Sequence, residues 1–348
     1  MKNNFCTLFN SAYLSRGLVL YRSLENTCAD FHLYVFAFDE KCELYLKKQN
    51  FRKMTVVGLK EFEDPELLRI KQTRSAGEYC WTCTASTILF SIEKFGLDHC
   101  TYIDSDMEFY HDPNLLLQEV VDKDVLITDH WYSPKYDQSE ESGKYCVQFV
   151  FFRNNENGMR VLRDWRNDCN TWCFDRVEDG KFGDQKYLDD WQSKYPNVHV
   201  MQNRGGGVAP WNIQQYRLEI VNGKPMVQHK SEQVTRPLVF FHYHGLKFFN
   251  NDLVGITTVI YDVQQIWKNK LFFPYVQRLL MAGDEIRKNG GEFNPHGNSG
   301  EAPVGNWGVK VWLYYYLASV KESFGNIGGR VMDSRKRHHP FYSLNRFR

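Results

Sequence analysis

Cys100-Thr101-Tyr102-Ile103-Asp104-Ser105-Asp106-Met107-Glu108-Phe109 is the stretch on which the reading of this chain turns. Thr101 to Ile103 is a short apolar run with β-branched and aromatic residues, the pattern of a buried strand. It stops abruptly at two carboxylates spaced i, i+2. Open α/β sheets bind ligands at the carboxyl ends of their strands. Two unpaired carboxylates placed there repel each other and invite a divalent cation, a hard ion that takes oxygen ligands and bridges to a diphosphate. The plainer reading of Asp-x-Asp is a strand-end turn whose aspartates bond backbone donors.

The flanking sequence supplies the sheet. Phe5 to Phe9 reads as a first strand, broken by Asn10-Ser11, with a helix from Tyr13 to Glu25. A second strand runs Phe31 to Phe38 and ends at Asp39, followed by a helix over Lys41 to Gln49. Met54 to Val57 is a third strand, Tyr79 to Phe95 a helix, and Val125 to Thr128 a fifth strand after the one carrying the Asp pair. Strands alternating with helices predict a largely parallel sheet covered on both faces. Beyond Asp129 the pattern changes. Cys146 to Phe152 is a strong strand, Gly158 to Cys173 and Asp184 to Gln192 read as helices, and Val239 to His242 as a strand. Asn289 to Gly308, rich in Gly, Asn and Pro, reads as a loop, and Val309 to Phe324 as a helix before a basic tail.

Composition narrows the class. With 348 residues, 43% hydrophobic and 24% charged, the chain is long and apolar enough for a substantial core. A net charge of +1 gives no global field for nucleic acid, so none is expected as a partner. Charge is uneven, though: Arg330 to Arg348 holds six Lys/Arg against one acid, a local +5 that suits an anionic surface. The nine cysteines, Cys80-Trp81-Thr82-Cys83 among them, lack the second CxxC of a zinc site and read as buried free thiols of a reducing compartment. Met1 to Gly17 lacks a signal-peptide apolar region and no run reaches membrane-spanning length, which predicts a cytoplasmic protein.

Four further segments bear on chemistry. Thr7 to Tyr13 closes the first strand without a glycine-rich phosphate loop; its small polar groups and tyrosine suit a base and ribose, or an ordinary β–α turn. Phe182-Gly183-Asp184-Gln185 places Asp-Gln at a helix start, where Asp is ordinarily a cap. Arg204-Gly205-Gly206-Gly207 leads into Trp211-Asn212, and its glycines permit close backbone approach. Phe240 to Lys247 ends a strand with His242 and His244 on one face, by the period of two.

Together the strand-ending Asp-x-Asp, the later Asp-Gln, the Trp-Asn and the late His-x-x-Gly resemble the GT-A glycosyltransferases, in particular the retaining lipopolysaccharide galactosyl- and glucosyltransferases related to glycogenin. The resemblance covers roughly residues 5–249. It implies an α/β, Rossmann-like nucleotide-sugar fold with a mixed central sheet, C-terminal helices and a basic tail. It implies Mn²⁺ or Mg²⁺ held by Asp104, Asp106 and either His242 or His244, with Asp104 also near ribose. Asn10, Tyr13 and Asp39 would surround the nucleotide, Asp184 would hold donor-sugar hydroxyls, and Gln185 would lie beneath the anomeric carbon. Lys247, with Lys71 or Arg74, would meet the diphosphate. Two departures stand out. Lys247 follows Gly245 by two residues rather than three and precedes Phe248-Phe249, not Pro-Trp. Val147-Gln148-Phe149 replaces Asn-Ala-Gly, so Gln148 would take the asparagine's place at the sugar.

The expected organisation is a catalytic domain over 1–255, split at 128/129 into a nucleotide half and a donor/acceptor half. A helical extension and Gly-rich loop over 256–308 and a C-terminal helix and basic tail over 309–348 follow. The expected activity is transfer of a hexose from a nucleotide-diphosphate sugar, UDP-linked by the resemblance, to a glycan or lipid-linked glycan in bacterial surface polysaccharide synthesis. The tail would touch the anionic inner face of the cytoplasmic membrane. A sugar nucleotidyltransferase, which would want a Gly-rich loop, and a non-catalytic nucleotide-sugar or glycan-binding protein are the alternatives.

Overall fold

The computed structural model describes residues 2–250, 252–302 and 340–348. The helix expected over Val309 to Phe324 and the basic run Arg330 to Arg337 lie outside the described residues. The strands of the first half are β1 (Asn3–Phe9), β2 (Phe31–Ala37), β3 (Met54–Gly58), β4 (His99–Ile103), β5 (Met107–Phe109), β6 (Val125–Asp129), β7 (Tyr145–Arg153) and β8 (Val198–Val200). All but β5 form one seven-stranded sheet in the order β3-β2-β1-β4-β7-β6-β8. β1 to β4 run parallel, but β7 lies antiparallel between β4 and β6, so the sheet is mixed. That is why the sequence pattern shifts after Asp129.

Local chemistry explains the helices that cover the sheet. Asp39 caps helix Glu40–Gln49 by accepting from the Cys42 N–H, and Ser75 and Glu78 form a reciprocal capping box on helix Ala76–Phe95, which ends at the left-handed Gly96. Asn155 caps helix Glu156–Thr171. Helices Ala76–Phe95 and Glu156–Thr171 pack together on one face of the sheet, and helices Leu14–Thr27 and Phe273–Lys288 on the other. The second of these pairs joins the N-terminal part of the chain to the segment beyond 255, so that segment shares a core with the sheet.

Outside the main sheet, β9 (Tyr216–Val221), β10 (Lys224–His229) and β11 (Thr235–Pro237) form an antiparallel sheet. β12 (Phe240–His242) then pairs antiparallel with β5, His242 opposite Met107. β13 (Lys247–Phe248) and β14 (Leu253–Gly255) form a hairpin joined by β15 (Phe341–Ser343). The last residues of the chain are therefore not a free tail: Phe341, Leu344 and Phe347 are buried. No helix among the described residues is long and apolar enough to cross a membrane.

Candidate active site

The β4 exit and the β5–β12 pairing converge. Asp104 extends the β4 ladder by donating its N–H to the Gln148 carbonyl at 3.1 Å, and Tyr243 N–H reaches the Asp106 carbonyl at 2.9 Å. This register sets His242 against the Asp pair. His242 Nε2 lies 3.1 Å from Asp106 Oδ1 and 3.8 Å from Asp104 Oδ2. One donor atom from each of the three residues fits within a 4.8 Å span. Two carboxylates and an imidazole are a donor set suited to a hard or borderline divalent ion.

The electrostatics suit a cation. Burial, opposed by His242 and reinforced by Asp106, raises the Asp104 carboxyl to about 6. Burial also acts upward on Asp106, but the charge and hydrogen bond of His242 overcome it and draw that carboxyl down to about 2. Burial acts downward on His242, but the charge and hydrogen bond of Asp106, with Cys146 and Asp104, together overcome it and raise the imidazole well above its ordinary value. A bound cation would do for both aspartates what the imidazolium does here.

His244 stands apart. β12 ends at His242, two residues before His244, so the period-two argument does not reach it, and His244 falls in an exposed turn with Gly245 at φ 77°. Its ring centroid is 5.8 Å from that of His242, and it is not part of the three-residue group. Of the two histidines, His242 is the one beside the aspartates.

Asp184 is 5% exposed and lies close enough to Asp104 to feel its charge; burial raises it to about 7. It does not open a helix. Gly183 and Asp184 make a turn before a 3₁₀ helix, Lys186–Asp190, and the carboxylate caps no helix. Its side chain bonds Thr84, and Trp165 Nε1 holds its backbone carbonyl at 2.9 Å. A buried carboxylate is costly to ionise unless it is paired or hydrogen-bonded, and here the Thr84 bond and the raised value both ease that cost. Gln185 is turned to the Ser142 carbonyl, to which its amide donates at 2.6 Å.

The remaining expected residues divide into two groups. Gln148 is fully buried and its Oε1 accepts from His242 Nδ1 at 2.8 Å, while its amide nitrogen has no partner. Asn10 and Asp39 shape the loop after β1. Asn10 accepts from Ala12 N–H, and Asp39 accepts from the Ser11 N–H and hydroxyl. Tyr13 sits 40% exposed above them, raised by burial and within the field of both aspartates. Lys247 is exposed at the start of β13. Lys71 is bound to Glu63 at 2.7 Å, and Arg74 lies over the Phe174 ring at 3.9 Å. Neither makes an ion pair with Asp104 or Asp106.

Two features went unread in the sequence. Arg16 is buried, its guanidinium 4.3 Å over the Tyr13 ring, and it donates to the Leu246 and His296 carbonyls at 2.9 Å each. Its charge also helps lower Asp106. The i, i+3 spacing from Tyr13 was the available signal. The second is a groove of about 550 Å³ lined by Asp129, Trp131, Tyr132, Lys144, Lys186 and Asp189. It is linked to the aspartate site through ring contacts: Tyr132 stacks on His130 at 4.5 Å, and edge-to-face contacts join His130 to Trp211 at 5.2 Å and Trp211 to His242 at 5.4 Å. Trp211 and Asn212 both bond the His130 carbonyl, so Trp-Asn ties this layer together. Gly205 permits close approach to protein, since a Cβ there would clash with the Pro237 carbonyl.

No family model matches the chain. It is similar to two Bacillus subtilis (strain 168) proteins described as uncharacterized. One is YfnD, 27% identical over 288 residues, 82% of this chain and 91% of that protein. The other is YfnF, 28% identical over 257 residues, 71% of this chain and 82% of that protein. Among solved structures, the galactosyltransferase LgtC in complex with donor and acceptor sugar analogs aligns with a TM-score of 0.48 at 10% identity, across 82% of this chain and 99% of that one.

Proposed function

We propose that this protein is a metal-dependent glycosyltransferase that moves a hexose from a nucleoside-diphosphate sugar to a glycan acceptor. The observation that carries the reading is the Asp104, Asp106 and His242 group at a strand exit, with the buried Asp184 carboxylate beside it. The unpartnered Gln148 amide nitrogen supports it, because a buried donor without a partner is satisfied by a ligand oxygen. Asp104, Asp106 and His242 would hold Mn²⁺ or Mg²⁺, which as a Lewis acid offsets the charge of a leaving diphosphate.

In this reading Tyr13, with Asn10 and Asp39 behind it, receives the nucleotide. Lys247 meets the diphosphate, where negative charge develops as the anomeric C–O bond breaks. Asp184 accepts hydrogen bonds from donor hydroxyls. The groove at Trp131 and Tyr132 receives the acceptor, since aromatic faces and paired charges suit a sugar's mixed apolar and hydroxyl surface. An acceptor oxygen bonds to the anomeric carbon, and its proton leaves with the diphosphate. Retention is taken from the resemblance to retaining enzymes; an inverting route would need a base on the acceptor side, where Asp129 and Asp189 line the groove. Gln185, a neutral amide bonded to Ser142, is a poor nucleophile and would line the sugar pocket.

A thermal-shift screen of nucleotide-sugars with and without Mn²⁺ tests the reading, since a ligand that binds only the folded chain raises its melting temperature. Stabilisation that needs both metal and nucleotide-sugar, followed by release of nucleoside diphosphate, is expected. Binding without any turnover would favour the non-catalytic alternative. Product anomericity by NMR tests retention. Membrane contact through the aromatic segment Trp307 to Phe324 and the basic run Arg330 to Arg348 is a separate proposal, tested by co-sedimentation with anionic liposomes at low salt.

A further inference from the structure

The strand that presents Lys247 is two residues long, and its hairpin partner β14 is three. A lone two-stranded hairpin is marginal in water. What completes this one comes from far along the chain. β15 pairs with β14 through Leu253↔Ser343, Val254↔Tyr342 and Gly255↔Phe341. The pairing is framed at both ends, by Ile256 N–H to the Pro340 carbonyl at 2.9 Å and Leu344 N–H to the Asp252 carbonyl at 2.8 Å.

Aromatic contacts anchor the segment to the body of the protein. Phe341 packs on Phe249 at 5.5 Å, while Tyr342 and Phe347 flank Phe273 at 4.9 and 5.4 Å. The Arg346 guanidinium covers the Phe273 ring at 4.5 Å. The other side of β13 is tied down as well. His296 stacks on Phe248 at 4.5 Å, Ser299 N–H bonds the Phe248 carbonyl, and Arg16 bonds the Leu246 carbonyl. Lys247 is thus the exposed residue of a strand fixed on both flanks by residues outside the 1–255 region or by Arg16.

We infer that the C-terminal segment Pro340–Arg348 is a positioning element of the donor site, which braces the β13–β14 hairpin and so fixes Lys247. This rests on the reading that Lys247 meets the donor diphosphate. The segment touches no ligand itself; it acts through β14.

The test compares the full chain with one ending at His339. UDP serves as the probe in the presence of Mn²⁺, and Mn²⁺ binding is measured separately without nucleotide. The shortened chain is expected to bind UDP about tenfold more weakly or worse, the scale of one charge-assisted contact. Its Mn²⁺ affinity should be unchanged, and the amides of Leu246, Lys247 and Phe248 should exchange hydrogen faster. A Pro340–Arg348 peptide added in trans should restore both. In a Lys247→Ala background the truncation should cost no further UDP affinity, because the two changes remove the same interaction. Phe347→Ser, which loses one buried anchor and keeps the strand, should show the same effects in weaker form if the shortened chain fails to fold. Unchanged exchange at residues 246–248 overturns the inference, as does an undiminished truncation effect in the Lys247→Ala background. Failure of the full chain to bind UDP at any Mn²⁺ concentration instead overturns the glycosyltransferase reading, and the exchange measurement then decides the brace alone.

Discussion

The side-chain oxygen of Gln148 lies 2.8 Å from Nδ1 of His242, on the ring edge opposite the nitrogen that meets Asp106 at 3.1 Å. An amide oxygen only accepts, so Nδ1 carries the proton and Nε2 is the atom directed at the carboxylates. Partners behind a ligating imidazole fix its tautomer and ring orientation, and their loss typically costs 10–100-fold in metal affinity. Gln148→Leu should therefore weaken Mn²⁺ binding by about 10-fold or more, whereas Gln148→Glu, which keeps the acceptor, should not. Calorimetric titration of the two variants decides it; equal affinities would remove Gln148 from the site's support.

Asp106→Asn should abolish transfer without unfolding the chain. The side chain is part-exposed and its charge is matched by His242 rather than by the core. Removing one charged donor should lower turnover on the order of 10²-fold or more. A folded variant, judged by circular dichroism, that turns over normally at saturating Mn²⁺ would contradict the metal assignment.

Trp131 has φ 45°, an uncommon conformation for a tryptophan, held by its N–H bonding Asp129 Oδ1 at 2.7 Å. If the groove takes the acceptor, Trp131→Ala should raise the acceptor KM about tenfold while leaving UDP affinity and slow donor hydrolysis intact. Kinetics with and without acceptor separate the two. A parallel loss of hydrolysis and transfer would mean that Trp131 serves the donor side.

Much of the sheet was legible because its strands are short apolar runs, and β2 runs directly into a helix cap at Asp39. The Asp-x-Asp exit was legible for the same reason: two charges ending an apolar run are a local signal. What stayed hidden depends on long-range register. His242 could be told from His244 only by the antiparallel pairing of β12 with β5, which ends the strand at His242. Asp184 looked like a helix cap because Asp at such a position ordinarily is one, and only its packing against Thr84 and the left-handed Gly183 show otherwise. Lys71 and Arg74 carried the right charge, and only the fold shows their present partners, the Glu63 carboxylate and the Phe174 ring. The brace on Lys247 had no local signature, since its strands lie almost ninety positions apart along the chain.

Asp184 ties stability to function with opposite signs. Burial raises its carboxyl from an ordinary 3.8 to about 7. Below about pH 4 the group is protonated in both the folded and unfolded chain and contributes no difference. Between about pH 4 and 7 the unfolded chain releases the proton while the folded chain keeps it, so folding stability falls as pH rises. Above about 7 the folded chain carries a buried charge and the loss is complete. Asp184→Asn removes this penalty. The variant should match wild type near pH 4 and exceed it at pH 8 by an amount on the order of 2–4 kcal/mol. It should at the same time lose transfer, because an amide cannot accept hydrogen bonds from donor hydroxyls at both of its atoms. Urea unfolding at about pH 4.5 and 8, paired with turnover assays, tests both halves. A stability difference that is the same at the two pH values would show that the carboxylate is not held protonated by its burial, and full activity of the Asp184→Asn variant would remove Asp184 from the donor site.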